Sequence, residues 1–411
     1  MSRRSSFGYS SYGSRSYRSG SYNSRRNRNN NRKKIIIITI IAVILLTAAV
    51  FCLYYFVFRG NNGNQNNDKG KNNQEQSQLL ADKKQPSEES KKSPEISQES
   101  SKAESSADPD IEGYYDENVF IYDKQGYELF YGSEDSAKKY SAIVSSIKKS
   151  LGKDITVYNM VVPTHAAFGL PEKYQNNMSD EKENIDIIYS SYTQDVKTVD
   201  AFTAEKEHKN EYTYFKTDSN WTGLGAYYSY QAFCKTAGLN AVELGSLSKG
   251  SIKDFSGSLI SATKTDDHPN GNKELDANKD VVVYYNMKTI DSCKLLENGK
   301  SIEEEVPLIA TFAAGSNAYS AFIWGDNPYM KIKTTLKTGK KLCIIKDSYG
   351  CAFTPFTAAN YDEIYVVDPR YYDGNVIDYI KKNKFTDVLI INSVMNANTE
   401  VRLKEIQSII G

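Results

Sequence analysis

Ile35 to Phe58 is a run of 24 residues without a charge, dominated by Ile, Val, Leu, Ala and Phe. As a helix it would be about 36 Å long, enough to cross a hydrocarbon core of about 30 Å with some tilt. A lipid environment admits a single spanning segment only as a helix, because every backbone group must be bonded internally. A cleaved signal peptide has a shorter apolar core and a small-residue cleavage site. This run ends in Tyr54-Tyr55-Phe56-Val57-Phe58-Arg59 instead and is read as an uncleaved signal anchor.

The charges on either side set the orientation. Residues 1–34 carry ten Arg and Lys and no acid, in a chain whose formal net charge is zero, so the remainder carries 0 − 10 = −10. The positive-inside rule places 1–34 in the cytoplasm and 59–411 outside a single-pass cell membrane. Residues 1–34 are Ser/Tyr/Arg/Asn/Gly repeats with little to bury, which predicts a disordered tail facing anionic lipid head groups rather than nucleic acid. Residues 59–111 are Asn, Gln, Ser, Lys and Glu with scattered Pro, the composition of a solvated extracellular tether.

From about 112 onward Tyr, Phe, Ile and Val recur at regular periods, and the 300 residues 112–411 are long enough for a full core. Strands are predicted at 118–122, 155–162, 199–202, 341–345, 363–368 and 387–392. Helices are predicted after Ser133, over 185–196, 222–238, 352–360, 375–383 and 400–409. Residues 240–335 read as an inserted, mostly extended subregion with loops. Apolar strands alternating with helices predict an α/β fold with a parallel sheet covered on both faces.

In such sheets functional loops gather at the carboxyl ends of the strands. Pro163-Thr164-His165 follows one strand, and Lys346-Asp347-Ser348-Tyr349-Gly350 follows another. Ser348 on a strand-to-helix turn is placed as a nucleophile, with backbone N–H groups at 348–350 as oxyanion donors. Asp218-Ser219-Asn220-Trp221 leads into the helix at 222. Cys234, Cys293, Cys343 and Cys351 have no metal spacing and default to buried free thiols, although Cys343 and Cys351 flank the Ser348 turn. Nothing in the sequence indicates a metal or nucleotide cofactor.

Several stretches together carry a family resemblance: Tyr214–Tyr227, Tyr158–Thr164, Asp254–Leu259, Trp324–Pro328, and Lys346–Gly350 with Pro355-Phe356. They occur in order and resemble the DHHW family, named for an Asp-His-His-Trp motif and similar to alginate O-acetyltransferases of the SGNH-hydrolase-like superfamily. The resemblance implies an SGNH-like sheet and O-acetyl transfer or ester hydrolysis on cell-envelope glycans. Ser348 matches the nucleophile and Asp218 the orienting acid, while Trp221, Thr164, Tyr349 and Gly350 line the cleft. Asn220 stands where the family has its catalytic histidine, and Ser219 replaces the other one. An amide does not titrate near neutrality, so Asn220 cannot take the serine proton.

Two readings follow. One is a membrane-anchored protein that binds cell-envelope polysaccharide or peptidoglycan, its acyl chemistry weakened or lost. The other is an active O-acetyltransferase or esterase in which His165 replaces the base. An acyl donor held by a membrane protein is a partner consistent with the second.

Overall fold

The computed structural model describes residues 111–411. The tail, the anchor at 35–58 and all but the last residue of the tether lie outside the described residues. No helix among the described residues is long and apolar enough to cross a membrane.

The described chain opens with an antiparallel meander of β1 (Tyr114–Asp116), β2 (Val119–Tyr122) and β3 (Gln125–Tyr127). Helix α1 (Glu134–Leu151) starts at Ser133, whose hydroxyl accepts from the Ser136 N–H, and carries acids in its first turn and lysines in its last. β4 (Thr156–Val162), α2 (Glu181–Ser190) and β5 (Val196–Val199) follow. The extended run expected at 199–202 is divided. β5 ends at Val199, and Asp200 then caps a short helix over Ala201–Glu207 by accepting from Thr203 N–H. Val196, expected to close the preceding helix, lies in β5.

Helix α3 (Gly223–Ala237) is bounded as its sequence dictates. The Thr222 hydroxyl accepts from Leu224 and Gly225 N–H, and Gly238 stops the helix at φ +64°. β6 (Ser248–Phe255) pairs with β7 (Asp280–Asn286) as a separate antiparallel ribbon. β8 (Ile290–Leu296), β9 (Glu304–Glu305), β10 (Tyr329–Thr334), β11 (Lys341–Lys346), α4 (Tyr349–Thr357), β12 (Glu363–Val367), α5 (Val376–Lys382), β13 (Asp387–Ser393) and α6 (Glu400–Ser408) complete the chain.

The central sheet runs β5-β4-β13-β11-β12-β10-β8-β9. β5, β4, β13, β11 and β12 are parallel, and β10, β8 and β9 extend the sheet antiparallel. The 240–335 region is therefore only partly an insertion. β6 and β7 stand apart, whereas β8 and β10 are built into the sheet.

The parallel strands alternate between two cores. On one face Met160, Leu342, Ile344, Val366 and Leu389 pack with Tyr230 and Phe233 of α3 and Phe353 of α4. On the other, Val161, Cys343, Ile345, Val367 and Ile390 pack with Tyr140, Val144 and Ile147 of α1 and Ile406 of α6. Burial on both faces explains why these strands read as continuous apolar runs. Cys343 and Cys351 fall in opposite cores, and all four described cysteines are free and buried.

Candidate active site

β11 ends at Lys346, and the chain turns through Asp347 and Ser348 into α4. Asp347 fixes the turn. One carboxylate oxygen accepts from Tyr349 N–H at 3.0 Å, and the other accepts from Ser393 N–H and Asn396 Nδ2, each at 2.7 Å. Gly350 N–H donates to the Asp347 carbonyl at 3.0 Å. The N–H groups of Tyr349 and Gly350, expected as oxyanion donors, are thus both committed within the turn.

Ser348 Oγ is bonded to a charged network. It donates to Asp326 Oδ2 at 2.7 Å and accepts from Arg370 Nη2 at 3.3 Å. Lys346 Nζ lies 2.7 Å from Asp326 Oδ1 and 3.0 Å from Asp368 Oδ2. Arg370 grips Asp368 through Nε and Nη2 at 2.8 and 2.6 Å, and its Nη2 is 2.9 Å from Asp326. Burial favours the protonated Asp326, but Lys346, Arg370 and the Ser348 hydroxyl outweigh it and hold the carboxyl well below the usual carboxylate range. Asp326 is therefore a fixed anion and a poor proton acceptor. It keeps the serine in the role of donor and opposes negative charge developing at the same oxygen.

The Asp218–Trp221 stretch is bonded to this turn. Trp221 is fully buried and donates its Nε1 hydrogen to the Tyr349 carbonyl at 2.9 Å, and the Tyr349 hydroxyl donates to the Ser219 carbonyl. The tryptophan is thus a strut between the two motifs rather than a surface of the cleft. Asp218 Oδ1 accepts from the Asn220 backbone N–H at 3.0 Å and from Asn220 Nδ2 at 2.7 Å, and its Oδ2 accepts from Ser258 N–H at 2.7 Å. The acid therefore orients residue 220, and the amide at that position has no proton-accepting nitrogen to offer Ser348.

Gly257 places the Ser258 donor. A Cβ there would come within 2.2 Å of the Thr217 carbonyl oxygen and 2.5 Å of Asp218 N. Both obstacles are backbone, so Gly257→Ala is expected to cost about 1–3 kcal/mol, read as a lower denaturation midpoint, by displacing residues 217–218.

His165 stays apart from the serine. Its ring lies 5.3 Å from Tyr214, parallel within 3°, and 4.7 Å from Tyr127. Its Nδ1 is buried without a hydrogen-bond partner, and burial pushes its pKa down to about 4. No hydrogen bond joins it to Ser348. Thr164 is turned away as well, bonded through N–H and hydroxyl to Glu181 at 2.7 and 2.6 Å.

Sequence reasoning assigned no role to Lys346, Asp326, Asp368 or Arg370. Asp326 lay within the Trp324–Pro328 stretch, and a lysine on an apolar strand is itself a signal of a buried partner. Glu128, just after β3, was also missed. It is open to solvent yet set among enough protein that burial, and secondarily the charge of Asp218, raises its pKa. The Gly126 N–H bond to the Lys216 carbonyl, at 2.8 Å, brings this segment alongside Asp218.

The backbone beside Asp326 is strained. Ile323, Trp324 and Gly325 have φ of +46°, +66° and +77° in succession. Left-handed conformations at non-glycine residues cost on the order of 1–3 kcal/mol each and concentrate at functional sites.

The family model for DHHW proteins matches residues 96–367. The chain belongs to the DHHW family. A crystal structure of a DHHW protein from Eubacterium siraeum is 33% identical to it, with a TM-score of 0.66 over 72% of this chain and 97% of that one. The fold is also that of Bacillus cereus PatB1, at 17% identity and a TM-score of 0.58, covering 71% of this chain and 99% of that one. A second PatB1 structure, with a sulfonyl adduct, matches at a TM-score of 0.57 and 17% identity over 71% of this chain and 98% of that one. No curated protein matches.

Proposed function

We propose that this DHHW protein binds cell-envelope glycans, polysaccharide or peptidoglycan, at the cleft around Ser348, with its acyl-transfer or esterase chemistry weakened or lost. The observation that carries the reading is the pairing of Ser348. Its hydroxyl donates to a permanently ionised Asp326, while the residue oriented by Asp218 is an amide. A serine nucleophile needs a neighbour that accepts its proton, and neither group does so near neutrality. The polar side chains that would have served catalysis remain able to bond sugar hydroxyls. The anchor read at 35–58 and the tether to 111 would hold this domain just outside the membrane. Rescue by His165 finds no support, since its ring packs between Tyr127 and Tyr214.

The test is turnover of p-nitrophenyl acetate by the full chain. Wild type and Ser348→Ala are expected to be indistinguishable. Asn220→His restores the missing base and is expected to raise turnover on the order of 10²-fold, a gain removed again by Ser348→Ala. Wild-type turnover that vanishes in Ser348→Ala would overturn the proposal.

A further inference from the structure

The segment leading to Asp326 carries an exposed aromatic pair. Phe312 is 69% exposed, and its ring sits edge-on to that of Trp324 at 5.0 Å and 67°. Trp324 is only partly buried, and it stands two residues before Asp326, so the two α-carbons are at most about 7 Å apart. Asp326 in turn holds the Ser348 hydroxyl at 2.7 Å.

This pair is held in place from several sides. Trp324 Nε1 donates to the Pro307 carbonyl at 2.8 Å, and its own carbonyl accepts from Asn327 Nδ2 at 2.9 Å. Asn327 Oδ1 accepts from Asn298 N–H at 3.1 Å. The strands of chain flanking the pair are joined through Ala310 N–H to the Ala321 carbonyl at 2.9 Å and by a bridge between Ile309 and Phe322. Trp324 stands within three successive left-handed residues, 323–325, immediately before Asp326. A hydrophobic side chain left in solvent is ordinary; an exposed aromatic pair whose indole is bonded in place on left-handed backbone two residues from a polar cluster is not.

We infer that Phe312 and Trp324 form a stacking subsite for a pyranose ring of a neutral or N-acetylated glycan, continuous with the polar cluster at Ser348. The inference rests on the glycan reading above and names where the sugar sits. One face of a pyranose presents its axial C–H groups, which carry partial positive charge and complement the electron-rich face of an aromatic ring. The hydroxyls at the ring edge would then face the neighbouring acids and guanidinium. A few convergent polar groups beside apolar rings is the usual composition of a small-ligand site. The charge balance selects the class. Lys346 and Arg370 are matched by Asp326 and Asp368. The two cations are thus already neutralised within the cluster, so a polyanionic uronate chain meets no excess of positive charge.

The chain provides its own reporter. It has two tryptophans, and Trp221 is fully buried while Trp324 reaches solvent. The full chain, kept in a sugar-free detergent, is titrated with chitohexaose and, separately, with soluble peptidoglycan glycan strands, following tryptophan emission and heat of binding. A blue shift is expected, and Trp324→Phe, which leaves only the buried Trp221 to emit, is expected to abolish it. Phe312→Ala is expected to weaken binding at least tenfold with the thermal midpoint unchanged. Binding of wild type that Phe312→Ala leaves intact would overturn the subsite while leaving the glycan reading standing. No heat and no emission change with either probe would overturn both.

Discussion

Lys346→Met is expected to lower the unfolding free energy by about 3–5 kcal/mol, the usual cost of removing one partner from a buried ion cluster. The Lys346 side chain is 1% exposed and Asp368 fully buried. Burial by itself would push the ammonium down, but the Cys351 sulfur and the carboxylates of Asp368 and Asp326 outweigh it and keep the lysine charged. Methionine replaces most of the aliphatic stem, so lost packing is a minor part of the effect. What remains is Asp326 and Asp368 sharing a single guanidinium. A domain of this size is expected to lose roughly 10 °C in denaturation midpoint. Lys346→Met with Asp368→Asn is the control. If the cost is electrostatic, the double variant recovers part of the stability, giving a coupling of opposite sign to the single losses. A loss below about 1 kcal/mol for Lys346→Met would mean that the cluster is held by other groups and that Asp326 is not locked as an anion. The same measurement therefore bears on the chemistry, because the locked anion is what denies Ser348 a proton acceptor.

Four of the five parallel strands, β4, β11, β12 and β13, were legible in the sequence because they are buried on both faces and the neighbouring helices carry their own punctuation. The partly open edge strand β5 was not. Ser133, Thr222 and Asn375 each cap a helix where a side-chain oxygen was available, and Gly238 ends one. The antiparallel half was harder. β8 and β10 alternate buried and open residues, a pattern that a peripheral ribbon shares with a sheet edge. Only the pairing of β10 with β12 makes them part of the sheet. Ser348, Asp218 and Asn220 stand out in the sequence through their local residue patterns. The partners of Ser348 do not, because Asp326 and Arg370 each lie 22 residues away and meet it only through the order of β10, β11 and β12. The part of the site that decides its chemistry thus belongs to topology rather than to any local pattern.

Glu181 gives the second large effect, a fall in stability as pH rises from about 5 to 8. The side chain is 2% exposed at the start of α2, and its two oxygens meet the Thr164 N–H and hydroxyl. Burial raises its pKa to about 7, with the hydrogen bonds from Thr164 pulling the other way and the charge of Asp180 adding to the rise. The unfolded carboxyl titrates near 4.3. Between these values the folded state binds the proton and the unfolded state has released it. The stabilisation is then full below about pH 4.3 and is lost as pH rises through 7, by about 4 kcal/mol in all. Glu181→Gln keeps an acceptor for the Thr164 N–H and a donor for its hydroxyl without titrating. Its stability relative to wild type is expected to climb over the same interval, measured by urea denaturation at several pH values. A difference that stays flat from pH 5 to 8 would show that Glu181 ionises equally in both states, which requires water at a position the fold closes. Thr164 is turned away from Ser348, so the effect is one on stability, carried by the two bonds that tie Glu181 to the segment following β4.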